Sequence, residues 1–144
     1  MYSTSIKFAS MPPCKILIID DDVDDVEILA DAFLQCGVCD VHYVYTAMEA
    51  FAYLESITNK EDLPKLIVTD LHLPGITGQE FLADLKGMEP YKHITVIVLS
   101  SAKSTTDIEK AKSLGAMDYL EKPYTYDEYK KVAADIAERV KETY

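Results

Sequence analysis

Asp20, Asp21 and Asp22 follow one apolar run, Asp70 follows a second, Ser100 and Ser101 follow a third, and Lys122 with Pro123 follows a fourth. Carboxylates, hydroxyls and an ammonium gathered in one place suit a divalent cation together with a phosphoryl group. Two carboxylates about 4 Å apart at an effective dielectric near 20 repel by roughly 4 kcal/mol, so a cluster of three calls for a compensating cation. Mg²⁺ takes one or two carboxylates, a carbonyl and waters, and leaves positions for phosphate oxygens. With the charge neutralised, one carboxylate can attack an anionic phosphodonor and become an aspartyl phosphate. Lys122 and Ser100 are then candidates to hold the phosphoryl oxygens, because catalysis of phosphoryl transfer is almost entirely positioning and electrostatic stabilisation.

These residues are far apart in sequence, so the fold has to assemble them. Apolar, β-branched runs at residues 16–19, 41–45, 66–69, 95–99 and 117–120 alternate with stretches of helical period, the pattern of a parallel sheet covered by helices. The first, third and fourth runs are nearly all apolar, as central strands with helices on both faces require, and the more mixed second and fifth suit the edges. Val26, Leu29, Ala30, Phe33 and Leu34 recur at the spacing of one buried helical face. Ala47, Ala50, Phe51 and Leu54 predict a second helix; Phe81, Leu82 and Leu85 a third from about Gly78; Ile108, Ala111 and Leu114 a fourth from about Thr105. Tyr129, Val132, Ala133, Ile136 and Val140 predict a fifth. In an open α/β sheet ligands bind beyond the carboxyl ends of the strands, and every residue of the constellation follows or ends a strand.

Composition narrows the partners. The 144 residues carry 25 Asp plus Glu against 14 Lys plus Arg, a net charge of −11 that repels nucleic-acid phosphates and anionic membranes. No concentrated basic patch offsets it, and the apolar runs fall far short of the roughly 20 residues that span a bilayer. The expectation is neither direct nucleic-acid binding nor membrane association, with a cytoplasmic location. Residues 1–13, which end in Met11-Pro12-Pro13 and lack an apolar signal core, are expected to form a flexible extension. Cys36-Gly37-Val38-Cys39 looks like the thioredoxin redox motif, but it follows a helix whose C-terminal dipole end opposes a thiolate, and Gly37 suits a helix C-cap. It reads as a turn.

Each polar residue has an ordinary reading when taken singly: Asp21 to Asp25 as a helix cap with first-turn charges, Asp70 as a turn residue, Lys122 as a surface cation. The conjunction points elsewhere. Ile18-Ile19-Asp20-Asp21-Asp22, Asp70-Leu71-His72-Leu73-Pro74 with Gly75 and Gly78, Leu99-Ser100-Ser101-Ala102, and Gly115-Ala116 leading to Tyr119 and Glu121-Lys122-Pro123 occur in that order. Together they resemble the receiver domains of two-component response regulators, including the stand-alone chemotaxis type, over residues 14–144. The resemblance implies a doubly wound, flavodoxin-like α/β fold of five parallel strands in the order 2-1-3-4-5 with five helices.

It also implies roles. Asp70 would be the phosphoacceptor, Asp20 and Asp21 the acidic pair that holds Mg²⁺ with Asp70, and His72 a metal ligand through its backbone carbonyl. Ser100 would be the switch hydroxyl, Tyr119 the switch aromatic, and Lys122 the phosphoryl-binding lysine before a cis Pro123. His72 and Ala102 occupy positions that tune hydrolysis in such domains. The implied donor is a phosphohistidine on a sensor histidine kinase or histidine phosphotransfer protein, and the output a switched surface for a downstream protein, as a monomer or a phosphorylation-dependent dimer. With the chain ending soon after the fifth helix, output by binding or onward phosphotransfer is expected. A Mg²⁺-dependent aspartyl-nucleophile phosphohydrolase and a phosphorylation-independent interaction module are the alternative readings. One further expectation comes from helical geometry: Ile28 falls about 200° round from Val26, so it should face water beside the acidic pocket, where it could receive a helix of the donor protein.

Overall fold

The structure, a computed structural model, describes residues 15–38, 40–101 and 104–141. Residues 1–13, Cys39 and Ala102 therefore lie outside the described residues. The chain alternates β1 (Lys15–Ile19), α1 (Val23–Gln35), β2 (Asp40–Val44), α2 (Ala47–Glu55), β3 (Leu66–Thr69), α3 (Gly78–Lys86), β4 (Thr95–Ser100), α4 (Thr105–Ser113), β5 (Asp118–Glu121) and α5 (Tyr126–Lys141), with 3₁₀ turns at Lys60–Asp62 and Tyr91–His93. The strands form one parallel sheet in the order β2-β1-β3-β4-β5, as the sequence implied.

The side-chain alternation of the central strands builds two cores, one on each face of the sheet. Leu17, Ile19, Ile67, Val96 and Val98 pack beneath Ala50, Leu54, Phe81, Leu82 and Leu85 of α2 and α3, with Ala111 of α4 at one side. Ile16, Ile18, Leu66, Val68, Ile97 and Leu99 pack beneath Val26, Leu29 and Phe33 of α1 and Tyr129, Ala133, Ile136 and Val140 of α5. The helices are begun by side-chain oxygens that satisfy free backbone N–H groups: Asp22 for α1, Thr46 for α2, Thr77 for α3 and Ser104 for α4. At the end of α1, the Cys36 N–H bonds back to Phe33 and Gly37 adopts φ 89°, the C-terminal turn expected for this stretch.

One helical face differs from expectation. The buried arc of α1 is Val26, Leu29, Ala32 and Phe33, while Leu34 is 52% exposed. α5 packs beside α1 on the same face of the sheet, and the small Ala32 turns toward that shared core. This rotation also changes the position of Ile28. It sits at the flank of the arc, half-buried and packed against the core, instead of facing water. Among the described residues no helix is long and apolar enough to cross a membrane.

Candidate phosphoryl and metal site

The parallel sheet delivers the polar residues to one end. Asp20 directly follows β1, Asp70 directly follows β3, Ser100 is the last residue of β4, and Lys122 directly follows β5. Asp70 and Lys122 border a cleft of about 470 Å³ lined also by Asp21, Asp25, His72 and Ser101, among others. Strand geometry fixes the backbone positions: the Asp70 N–H donates to the Ile19 carbonyl at 3.0 Å, and the Lys122 N–H donates to the Ser100 carbonyl at 3.0 Å.

At the centre is the Lys122 ammonium. It lies 2.8 Å from Asp20 Oδ2, 2.8 Å from Asp25 Oδ2 and 2.8 Å from Asp70 Oδ2, so its three donors meet three carboxylates. Burial alone would depress the Lys122 pKa, but the hydrogen bonds its ammonium donates to Asp20, Asp25 and Asp70 outweigh it and hold the group well above the usual lysine range. The remaining oxygens of the two buried acids accept from the backbone, Asp20 Oδ1 from the Asp22 N–H at 3.0 Å and Asp70 Oδ1 from the His72 N–H at 3.1 Å. Burial nevertheless pushes the Asp20 carboxyl up to about 6, with Lys122 offsetting only part of the cost. An ionised acid held in such a place gains from a second cation.

The donor set fits one. Ligand oxygens of Asp20, Asp21 and Asp70 lie within 4.8 Å of one another, two of these acids buried and Asp21 exposed on the cleft. Three carboxylate oxygens beside an open cleft match a hard cation that keeps waters and accepts phosphate oxygens, whereas no sulfur or imidazole in this set would favour a softer metal. His72 stands exposed on the cleft wall, held by its N–H to Asp70.

The expected hydroxyl and aromatic are also brought together. Ser100 is fully buried and hydrogen-bonds the phenol of Tyr119, whose pKa is raised by burial, the Ser100 bond opposing that rise. Tyr119 is half-buried and packs against the core on the α2 and α3 face. Ser101, by contrast, is exposed and lines the cleft.

Two features correct or extend the sequence reading. The cis peptide among the described residues is Glu89–Pro90, so the bond before Pro123 is not cis. X-Pro bonds favour trans intrinsically, and with this one trans the Lys122 N–H still pairs with Ser100 and the ammonium still reaches all three carboxylates. Asp25 and Tyr129 are the residues that sequence reasoning missed at this site. Asp25 Oδ1 accepts from the Tyr129 hydroxyl at 3.4 Å, and both side chains border the cleft. A signal for Asp25 was present in its position four residues before Leu29, on the inward flank of α1.

Residues 16–134 match the response regulator receiver domain family. The chain is 32% identical over 134 residues to the two-component response regulator ARR6 of Arabidopsis thaliana, covering 89% of this chain and 72% of that protein. The response regulator-like PRR37 of rice is 30% identical over 124 residues, covering 86% of this chain but only 16% of that longer protein. Among solved structures, the phosphorylated cyanobacterial phytochrome response regulator RcpA superposes with a TM-score of 0.80 at 30% identity, covering 92% of this chain and 96% of that one. The Mn²⁺-bound form of response regulator Rcp1 superposes with a TM-score of 0.71 at 27% identity, covering 86% and 91%. With the family match spanning most of the sheet and helices and the acidic site at the strand ends, this chain belongs to the receiver domain family of two-component response regulators.

Proposed function

We propose that this chain accepts a phosphoryl group on Asp70 from a phosphohistidine of a sensor histidine kinase or histidine phosphotransfer protein, with Mg²⁺, and thereby changes its binding surface for a downstream protein. The observation that carries this reading is the Lys122 ammonium 2.8 Å from Asp70 Oδ2, beside the triad of Asp20, Asp21 and Asp70. A carboxylate oxygen of Asp70 attacks phosphorus, the P–N bond to the donor imidazole breaks, and the nitrogen leaves with the electron pair and is then protonated. Asp20, Asp21 and Asp70, with the His72 carbonyl, are the groups that would hold Mg²⁺, which when bound supplies charge neutralisation for the incoming phosphoryl oxygens. Lys122, already aimed at Asp70, supplies the adjacent positive charge.

The new phosphoryl group then draws the Ser100 hydroxyl away from the Tyr119 phenol, and Tyr119 turns inward, repacking the surface of α4, β5 and α5. Populations moving from 1:99 to 99:1 need about 5.5 kcal/mol of difference between the two states, which the phosphoryl contacts to Ser100 and Lys122 have to supply. Donor docking falls on the N-terminal end of α1 and the loop after β5, where Val23 is 48% and Tyr124 83% exposed, with Ile28 contributing its accessible edge.

The test is intact-protein mass after incubation with Mg²⁺ and a small-molecule phosphodonor. One phosphoryl group, lost with excess EDTA and absent from Asp70→Asn, supports the proposal. Multiple turnover of a phosphoester without a stable adduct supports a phosphohydrolase, and partner binding indifferent to Asp70→Asn supports a phosphorylation-independent module; either outcome overturns it.

A further inference from the structure

Resting on the phosphoacceptor reading above, we infer that Asp25 is a positioning residue that fixes Lys122 and couples the pocket to α5 through Tyr129. Asp25 stands outside the group of Asp20, Asp21 and Asp70 whose ligand oxygens converge. Its two oxygens are instead divided between two partners on different elements: Oδ2 lies 2.8 Å from the Lys122 ammonium just after β5, and Oδ1 accepts from the Tyr129 hydroxyl of α5 at 3.4 Å. Tyr129 is only 4% exposed and sits in the core formed with α1. One planar carboxylate on α1 therefore joins the phosphoryl-binding lysine to a buried side chain on α5.

The arrangement has a direct consequence for Lys122. Of its three carboxylate partners, Asp70 changes on phosphorylation and Asp20 belongs to the metal group. Asp25 is the partner that is neither the phosphoacceptor nor part of the metal group. It keeps the ammonium from swinging away when the other contacts are altered, and the pull of the phosphoryl oxygens on Lys122 reaches Tyr129 through the shared carboxylate. This link lies on the opposite face of the sheet from the Ser100 and Tyr119 pair, because Tyr119 packs with the α2 and α3 core and Tyr129 with the α1 and α5 core. Phosphorylation would thus be felt on both faces. A carboxylate that merely favours the α1 dipole from its first turn requires neither contact.

The experiment follows ring signals of ¹³C-tyrosine-labelled protein, with Tyr129 assigned through Tyr129→Phe, before and after saturation with Mg²⁺ and beryllofluoride as phosphoryl analogue. Adduct formation is read separately by ¹⁹F signals. In the parent, the Tyr129 signal is expected to shift with the adduct; in Asp25→Asn, which preserves shape and a neutral acceptor, the adduct and the Tyr119 shift persist while the Tyr129 shift falls at least about threefold. The same variant should lower the maximal rate of phosphorylation by a small phosphodonor about tenfold without raising its half-saturating concentration, the mark of lost positioning as opposed to lost binding. An adduct in the parent with an unmoved Tyr129, or an Asp25→Asn variant with the full Tyr129 shift or an unaltered maximal rate, overturns the inference alone. Absence of the adduct in the parent overturns the phosphoacceptor reading and this inference with it.

Discussion

Gly78 meets the backbone of Asp70 so closely that a Cβ at position 78 would stand 2.3 Å from the Asp70 carbonyl oxygen and 2.8 Å from Leu71 Cα. The Gly78 N–H donates to the Leu71 carbonyl at 2.9 Å, so the first residue of α3 is joined to the loop that presents the candidate phosphoacceptor. Glycine is required here by space, because the nearest atoms are backbone and cannot rotate away.

Gly78→Ala is therefore expected to displace the loop from Asp70 to His72. Overpacking of this kind costs about 1–3 kcal/mol, which urea denaturation measures. The rate of phosphorylation should fall in the same variant, since Asp70 and the His72 N–H that orients it move together. Parent-like stability and rate would contradict the close approach.

A pH dependence follows from Asp20. Its carboxyl is pushed from 3.8 up to about 6 by burial, so the folded state binds a proton more tightly than the unfolded chain does. The stability this contributes is fully present below about pH 4 and is lost as pH rises through about 6, a change of up to about 3 kcal/mol. In metal-free protein, Asp20→Asn should remove this component, leaving a variant that matches or exceeds the parent in stability at pH 7.5 and has a flatter profile between pH 4 and 7. Urea denaturation across that range checks it, and an Asp20→Asn profile as steep as the parent's would contradict the assignment.

The Ser100 and Tyr119 contact makes a separate prediction. On the proposed switch, Ser100→Ala still accepts a phosphoryl group but loses most of the response at α4 and β5. Amide shifts for residues 110–119, followed on phosphorylation, read that response directly. Shifts in Ser100→Ala equal to those in the parent would remove the hydroxyl from the coupling.

Much of this architecture was legible because two periodicities dominate it. Ile16 to Ile19, Leu66 to Val68 and Val96 to Leu99 are buried on both faces, and only strands between two helical layers tolerate such runs. Asp20, Asp70, Ser100 and Lys122 could be placed together because each sits at the same end of a parallel strand. What was hidden depends on how elements lean on each other. The rotation of α1 that turns Leu34 outward and half-buries Ile28 comes from α5 packing beside it, a contact no local pattern encodes. Asp25 was concealed for a related reason. Its run of acids reads as a cap with first-turn charges, and Asp22 does serve as that cap, while Asp25 acquires its partners from residues 97 and 104 positions away.

The most direct test of the central claim is to trap the phosphorylated side chain. Protein treated with Mg²⁺ and a phosphodonor is reduced with borohydride, which converts an aspartyl phosphate to homoserine, and its peptides are sequenced by mass spectrometry. Homoserine is expected at position 70 and nowhere else, dependent on Mg²⁺. Modification at another residue, or a phosphoryl group on the protein that borohydride does not convert at position 70, would contradict it.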